Sequence, residues 1–347
     1  MTSQSNNPMC KKGVFIAAEV SANHGQNLKR AIEMIRVAKK CGADAVKFQT
    51  YTPDTITIDA RTKYFKIKHP KWGGQTLYQL YKSAYTPWHW FKELKKGAND
   101  EGIAFFSTAF DRTAVDFLED LGVFCQKVAS FELVDIPLIE YAAKTKKPLI
   151  LSTGMATQQE ITEAVEAARG SGAREITLLK CVSSYPADPK EMNLRTIPDM
   201  RKKYGVSVGL SDHTLGIGVA VASVALGTTF IEKHFTLSRS LKTADSFFSI
   251  EPQELKELSV NVHLVELALG GVHYGLTKGE EKSRVFRRSL FAVRDMRRGE
   301  ILTEENIRSI RPAGGLAPKY FKGILGKTAK CAIRKGTPLK MAWINLK

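Results

Sequence analysis

Short apolar runs recur along the chain at residues 14–18, 45–48, 103–106, 124–129, 149–151, 176–179, 206–210 and 229–231, and each gives way to polar residues. Apolar runs of this length, bounded by polar positions, predict buried strands. Between them the apolar residues fall at helical spacing, as in Leu28, Ile32, Ile35 and Ala38 after the first run and Ile161, Ala164, Val165 and Ala168 after the fifth. Strands that alternate with helices lie parallel, so the chain reads as α/β. Eight such units in about 270 residues match a (β/α)8 TIM barrel, with a doubly wound open sheet as the alternative. The barrel is preferred because polar residues collect directly after nearly every run, where a barrel places its active site.

Residues 51–87, between the second and third runs, form a long connection rich in Tyr and Trp. Connections of this length carry function or short elements of their own. TLYQLYKSAYTPW reads as a helix, with Trp88 opening the next one. The segment is either a lid over the barrel mouth or surface packing. After a last barrel helix over residues 254–269 comes a polar, Gly-containing stretch, then short apolar runs punctuated by RRGE, RPAGG and RKGTP. That pattern predicts a small β-rich module. The expected division is a barrel over residues 1–275, a linker over 276–285 and the module over 286–347. So small a module is marginal alone and gains stability by docking on another surface.

With 43% hydrophobic and 25% charged residues in 347, the composition excludes a disordered, collagenous or coiled-coil chain. No apolar run reaches the ~18 residues that a membrane span needs, and the start MTSQSNNPMCKKG is polar. A cytoplasmic protein without a membrane partner is expected. Cys10, Cys41, Cys125, Cys181 and Cys331 contain no CxxC pair, which fits free thiols used as small buried apolar residues. The net charge of +17 is uneven: residues 284–347 hold 16 Lys+Arg against 4 Asp+Glu. Such a patch serves a nucleic acid, a small anion or plain solvation. Without stacking aromatic motifs, zinc spacings or a recognition-helix pattern, a nucleic-acid partner is not expected.

The polar residues at the run ends are Glu19 and Ser21, Lys47 and Gln49, Ser107 and Thr108, Lys127, Ser130 and Glu132, Ser152 and Thr153, Lys180 and Ser183, Ser211, Asp212 and His213, and Glu232, Lys233 and His234. Singly each is an ordinary loop residue; as a ring at one barrel mouth they suit a ligand with several negative charges. His213 and His234 follow neighbouring strands and so are placed to share a divalent metal such as Mn²⁺, Fe²⁺, Co²⁺ or Zn²⁺, with Glu19 or Asp245 nearby. Open positions on such a metal polarise a carbonyl. Lys47, Lys127 and Lys180 lie within apolar runs, where an unpaired charge is costly, so each reaches the mouth or meets an anion. They fit phosphate or carboxylate recognition; a Schiff-base lysine is the competing reading. Glu19 and Glu132 are placed for proton transfer or as ion-pair partners of those lysines. His69, His89, His263 and His273 read as structural, and His24 is open.

AEVSANHGQNLKRAIEMIRVAKKCGADAVKFQTYTPDTIT, KVASFELVDIPLI, LSTGMAT, GLSDHTLG, EKHFTLSRS and DSFFSIEP together resemble the sialic acid synthase family. The stretch from RRSLFAVRDMRRGEILTEENIRSIRPAGGLAPKY onward resembles its antifreeze-like (SAF, β-clip) domain. Within the family, KFQTYTPDTIT, TLYQLYKSAYTPW and KCVSSYPADPKEMNL look most like the pseudaminic acid branch. The resemblance implies a cytoplasmic enzyme condensing phosphoenolpyruvate with 2,4-diacetamido-2,4,6-trideoxy-L-altrose to a nine-carbon 2-keto acid, with release of phosphate by C–O cleavage. The neuraminate-forming and legionaminate-forming branches are alternatives; a Schiff-base sialic acid aldolase and a nucleic-acid binder are remote ones. It also implies a divalent metal on His213 and His234, Mn²⁺ ahead of Mg²⁺ or Co²⁺. By motif, Lys47, Thr108, Lys127, Ser130, Ser152, Ser183 and Ser211 match the phosphoenolpyruvate contacts, and Gln49, Tyr185 and Asp245 the sugar contacts. Glu19 matches the contact to a metal-bound water and Glu132 the proton carrier. The family is a domain-swapped homodimer, and Arg311 matches the arginine that reaches the partner's site. Thr243 and Ala244 depart from the usual Gly-Pro before the sugar-contacting Asp, and Ala109 from the usual Pro.

Overall fold

A computed structural model describes residues 7–10, 12–69 and 71–346; most of the polar start lies outside them. Eight parallel strands close into a barrel in chain order: β1 (Phe15–Glu19), β2 (Ala45–Thr50), β3 (Ala104–Ala109), β4 (Gln126–Val128), β5 (Leu149–Ser152), β6 (Ile176–Cys181), β7 (Ser207–Asp212) and β8 (Phe230–His234). Closure comes from β1 against β8, in register from Phe15 opposite Phe230 to Glu19 opposite His234. The open-sheet alternative is thereby excluded.

Helices surround the barrel, and their starts are set by local chemistry. Asn27 caps Leu28–Lys40, Asp111 caps Arg112–Leu121, and Thr157 with Glu160 forms a capping box on Gln158–Gly170. Each side-chain oxygen satisfies a backbone N–H that the first helical turn leaves unpaired. Helix faces such as Ala31, Met34, Ile35 and Ala38 pack against outward strand residues such as Ile16, Val46 and Phe48 in one core.

The connection over residues 51–87 carries the short helices Pro53–Ile56 and Leu77–Ala84. A strap is fastened at its base by Trp88, whose indole N–H donates to the Tyr51 carbonyl at 3.2 Å. Helix Phe91–Glu101 follows the turn Trp88–Trp90, as the pattern predicts.

The chain separates into two compact units, Met1–Gly270 and Gly271–Lys347. The break falls at the end of helix Pro252–Leu269, and much of the expected linker is a run of 3-10 helix, Lys278–Phe286. The second unit pairs β9 (Ser289–Ala292) with β10 (Ile307–Ile310), and β11 (Thr328–Ala329) with β12 (Ile344–Asn345), all antiparallel. Leu290, Met296, Leu302, Ile307, Ile333 and Ile344 belong to its small core.

The free thiols Cys41, Cys125 and Cys181 are buried, but Cys331 is half-buried and Cys10 exposed, so the expectation of buried cysteines fails for those two. Among the described residues no helix is long and apolar enough to cross a membrane.

Candidate active site

Every second side chain of a barrel strand points inward. The lower inward positions, Phe15, Ala17, Ala45, Phe106, Cys125, Ile150, Leu179 and Phe230, make one apolar cluster. One step up each strand, the cluster gives way to Glu19, Lys47, Thr108, Lys127, Ser152, Cys181, Ser211 and Glu232, which line a pocket with Gln49, Ser130, Tyr185, His213 and His234. Eleven of the predicted site residues therefore meet in that pocket.

Lys47 is buried with its ammonium 2.9 Å from Glu19 Oε2 and 3.6 Å from Glu232 Oε1, and it donates to Thr108 Oγ1 at 2.9 Å. Lys127 is equally buried and donates to Ser152 Oγ at 2.6 Å and to the Val128 carbonyl at 2.9 Å. Ser211 donates to Glu232 at 3.2 Å. Asp245 joins through Ser21, whose hydroxyl donates to Oδ2 at 2.5 Å, while Gln49 Nε2 donates to Ser21 Oγ at 2.9 Å and to Glu19 at 3.1 Å. The Thr243-Ala244 departure is accommodated: Thr243 donates to Asn23 Oδ1 at 2.6 Å and Ala244 accepts from Trp72 at 2.9 Å. Ser183 lies beside the pocket, 3.7 Å from Cys181 Sγ. A Cβ on Gly154 would come within 2.2 Å of Ser183 Oγ and 2.8 Å of Ser130 Oγ, so glycine is what lets those two hydroxyls approach the β5 end. Glu132 closes the turn Ser130–Glu132 after β4. Arg311 lies in the second unit, exposed, directly after β10.

Other polar run ends do not face the mouth. Lys233 and Asp212 point away from the barrel axis and pair with each other at 2.7 Å, buried behind the strands. Lys180 also points outward and donates to the Cys181 carbonyl at 3.2 Å, so the expected ring of three lysines holds two. His24 is buried against Thr86 at 3.0 Å and is structural. In turn, Glu232 stands in the predicted ring of run ends without a role of its own, and Cys181 is read there as plain packing, yet both face the pocket. Their signal was the period of two: two positions on from Phe230 gives Glu232, and two on from Leu179 gives Cys181.

Burial dominates the titration of the site. It pushes Glu19 up to about 7 against the pull of Lys47, with Glu232 adding to the rise. Glu232 resists the same burial and is held below its ordinary value by Lys47 and Lys127. Of the two carboxylates sharing Lys47, Glu232 keeps the charge and Glu19 titrates near neutrality. Burial also raises Glu132 to about 7, opposed by Lys127. Lys127 itself is lowered by burial. Cys181 is drawn down to about 7 by His213, in spite of burial.

The imidazoles of His213 and His234 lie with ring centroids 5.3 Å apart. His213 Nδ1 meets the Val182 carbonyl at 2.8 Å, an arrangement that orients a ring and leaves its other nitrogen free to ligate. His234 Nδ1 is buried without a hydrogen-bond partner, with Asp245 Oδ2 3.9 Å away. Burial and His213 hold His234 well below its ordinary pKa, hence neutral. A neutral His234 with an orphaned nitrogen, beside a His213 ring oriented by the Val182 carbonyl, fits a divalent cation with open positions. Among the described residues no group of three His, Cys, Asp or Glu side chains is placed to hold a metal ion, so these two imidazoles are the ligands the chain would offer. A separate cavity of about 580 Å³ opens at the opposite end of the barrel among Arg169, Arg174, Glu175 and Phe230, and holds none of these groups.

The chain is similar to known proteins over most of its length. The NeuB family matches residues 34–274 and the SAF domain residues 287–344. The chain is 43% identical to the pseudaminic acid synthase of Campylobacter jejuni, covering 95% of this chain and 96% of that one. It is 37% identical to the N,N'-diacetyllegionaminic acid synthase of the same organism, over 92% and 96%. The crystal structure of an N-acetylneuraminic acid (sialic acid) synthetase from Leptospira borgpetersenii in complex with citrate superposes with a TM-score of 0.70 at 34% identity, covering 78% of this chain and 90% of that one.

Proposed function

The chain belongs to the NeuB family and carries a SAF domain, and from that premise we propose that it condenses phosphoenolpyruvate with 2,4-diacetamido-2,4,6-trideoxy-L-altrose, the pseudaminic acid synthase reaction. The observation that carries the reading is one pocket in which buried Lys47 and Lys127, beside Thr108 and Ser152, face the His213 and His234 imidazoles. Lysines and hydroxyls take the phosphate and carboxylate of phosphoenolpyruvate as point charges and donors, with Ser130, Ser183 and Ser211 completing that side. Gln49, Tyr185 and Asp245 hold the sugar.

The family is metal-dependent, and His213 and His234 would hold a divalent cation such as Mn²⁺, which would supply Lewis-acid polarisation of a carbonyl. Lys47 and Lys127 orient phosphoenolpyruvate so that its C3 attacks the aldehyde carbon, which converts an encounter of two molecules into a positioned one. The C3–C1 bond forms as the carbonyl π pair moves onto the aldehyde oxygen, which takes up a proton to become a hydroxyl; C2 becomes electron-poor, and water adds there while Glu132 or Glu19 takes its proton. Both carboxyls sit at about 7, the range that suits proton transfer at neutral pH. The C2–O bond to phosphate then breaks, the electron pair leaves with phosphate, and the 2-keto acid results.

The surface around the mouth exposes Phe131, Val134, Met155 and Leu215, apolar groups on the loops after β4, β5 and β7. Their cover is the SAF domain of a second copy in a swapped homodimer, with Arg311 of that copy entering the site. The basic charge of residues 284–347 then raises the local concentration of the anionic substrate. The enzyme works in the cytoplasm. Phosphate release from phosphoenolpyruvate with Mn²⁺ tests the reading: the L-altro sugar turns over ahead of the 2,4-diacetamido mannose analogue and N-acetylmannosamine. Preference for either of the others moves the assignment to the legionaminate or neuraminate branch, and release with none overturns it. Oxygen-18 in the bridging position is expected in phosphate, as C–O cleavage requires.

A further inference from the structure

Trp72 belongs to the strap between β2 and β3, yet it touches two other parts of the barrel mouth. Its indole N–H donates to the Ala244 carbonyl at 2.9 Å. Its ring lies 5.7 Å from Tyr185 at 57° and 6.0 Å, edge on, from Phe247, with His69 stacked on it at 4.3 Å. Tyr185 in turn packs 4.5 Å from the His213 ring and 5.2 Å from Phe248. An unbroken chain of aromatic contacts thus runs from the strap to the imidazoles.

The other contact acts on the backbone. Ala244 directly precedes Asp245, whose carboxylate is held by Ser21, and the turn continues into Ser246, whose hydroxyl donates to the Thr243 carbonyl at 3.1 Å. Lys71 adds its ammonium 5.8 Å from the Phe247 ring. Trp72 therefore bears on Tyr185 and on the turn that carries Asp245, both assigned to the acceptor. It makes none of the contacts of Lys47, Lys127, Thr108 or Ser152 described for the phosphoenolpyruvate side.

We propose that Trp72 is a positioning residue for the acceptor sugar, clamping residues 244–247 against Tyr185 and so setting the geometry of Tyr185 and Asp245. The inference rests on the condensation proposed above. The indole joins two contacts that a smaller residue separates: the ring gives apolar packing against Tyr185 and Phe247, and the N–H pins a carbonyl. A loosened clamp lets the acceptor groups drift, and a displacement on the order of 1 Å is enough to reduce productive binding.

The test is steady-state phosphate release by the full-length, Mn²⁺-loaded enzyme, with the KM of each substrate measured separately. Trp72→Ala is expected to raise the acceptor KM about tenfold or more while the phosphoenolpyruvate KM stays within about twofold. Trp72→Phe keeps one aromatic ring but loses the hydrogen bond, so its acceptor KM rises by about threefold, again with the phosphoenolpyruvate KM unmoved. An acceptor KM within about twofold of wild type in Trp72→Ala, or an equal rise in both KM values, overturns the proposal. If Trp72→Ala does not fold, the KM split in Trp72→Phe decides alone, and its absence overturns the proposal. A wild-type enzyme that turns over no acetamido sugar sinks the functional reading, whereas a working wild type with an insensitive Trp72 sinks only this inference.

Discussion

The lower and upper halves of the barrel interior are built from the same eight strands and are equally buried, yet they bury opposite chemistry. Below, Phe15 stacks on Phe230 at 5.3 Å and Phe106 packs on Phe124 at 5.4 Å. Gly209 leaves the room this needs: a Cβ there would stand 2.4 Å from the Phe230 carbonyl oxygen and 2.7 Å from Leu179. Above, two lysines and two glutamates are among the corresponding inward positions, with two histidines at the rim. Removing charge from water is costly, and a hydrophobic replacement of similar volume is commonly no less stable. The upper layer is therefore held for what it does, and the lower layer for stability.

The comparison breaks most directly at the imidazoles. His213→Ala, or removal of metal by EDTA, is expected to cut phosphate release by about 10³-fold or more, with the melting temperature of the His213→Ala protein little changed; re-addition of Mn²⁺ restores only the wild type. Activity surviving both would put the upper layer on the same footing as the lower. Lys47→Met leaves Glu19 and Glu232 buried without their shared cation, a loss on the order of 3–5 kcal/mol in stability, read as a lowered urea midpoint together with lost turnover. Leu179→Ala in the lower layer is expected to cost about 2–5 kcal/mol while the folded fraction retains its kcat; a loss of kcat at constant fold would mean that the lower layer also tunes the chemistry.

The smallest effect is the most discriminating one. Because burial raises Glu132 to about 7 in the folded protein, the fold favours its protonated form. Its contribution to stability is therefore fully present below about 4.5 and is lost as pH rises through 7. Glu132→Gln is expected to flatten that fall, melting no lower than wild type at pH 8. Its turnover should drop by about 10²-fold, and the pH limb near 7 should disappear. A variant that keeps the limb assigns it to Glu19, whose carboxyl lies in the same range.

Much of this architecture was legible in the residue pattern. All eight predicted runs are strands, in the expected order, but seven strands run one to three residues further, as β1 does to Glu19 and β8 to His234. Most of those added residues are polar, and the inward-facing ones line the mouth while their backbones stay in the ladder, so hydrophobicity ends before the strand does. Candidate residues were found where polarity followed an apolar run. What that signal lacks is parity: Lys233 and Glu232 look equivalent as neighbours, yet one is buried behind the strands with Asp212 and the other faces Lys47.

By itself the sequence determined the number and order of strands, the long strap, the small basic module and the paired histidines, because periodicity, caps and spacing are local properties of the chain. Only the tertiary structure decided which of the buried charges meet. It set Glu19 and Glu232 on one lysine, turned Lys180 outward, and brought Trp72 to the carbonyl of Ala244, 172 residues away. The physical reason is that strand stagger and barrel closure fix these distances, and both arise only when all eight strands pair.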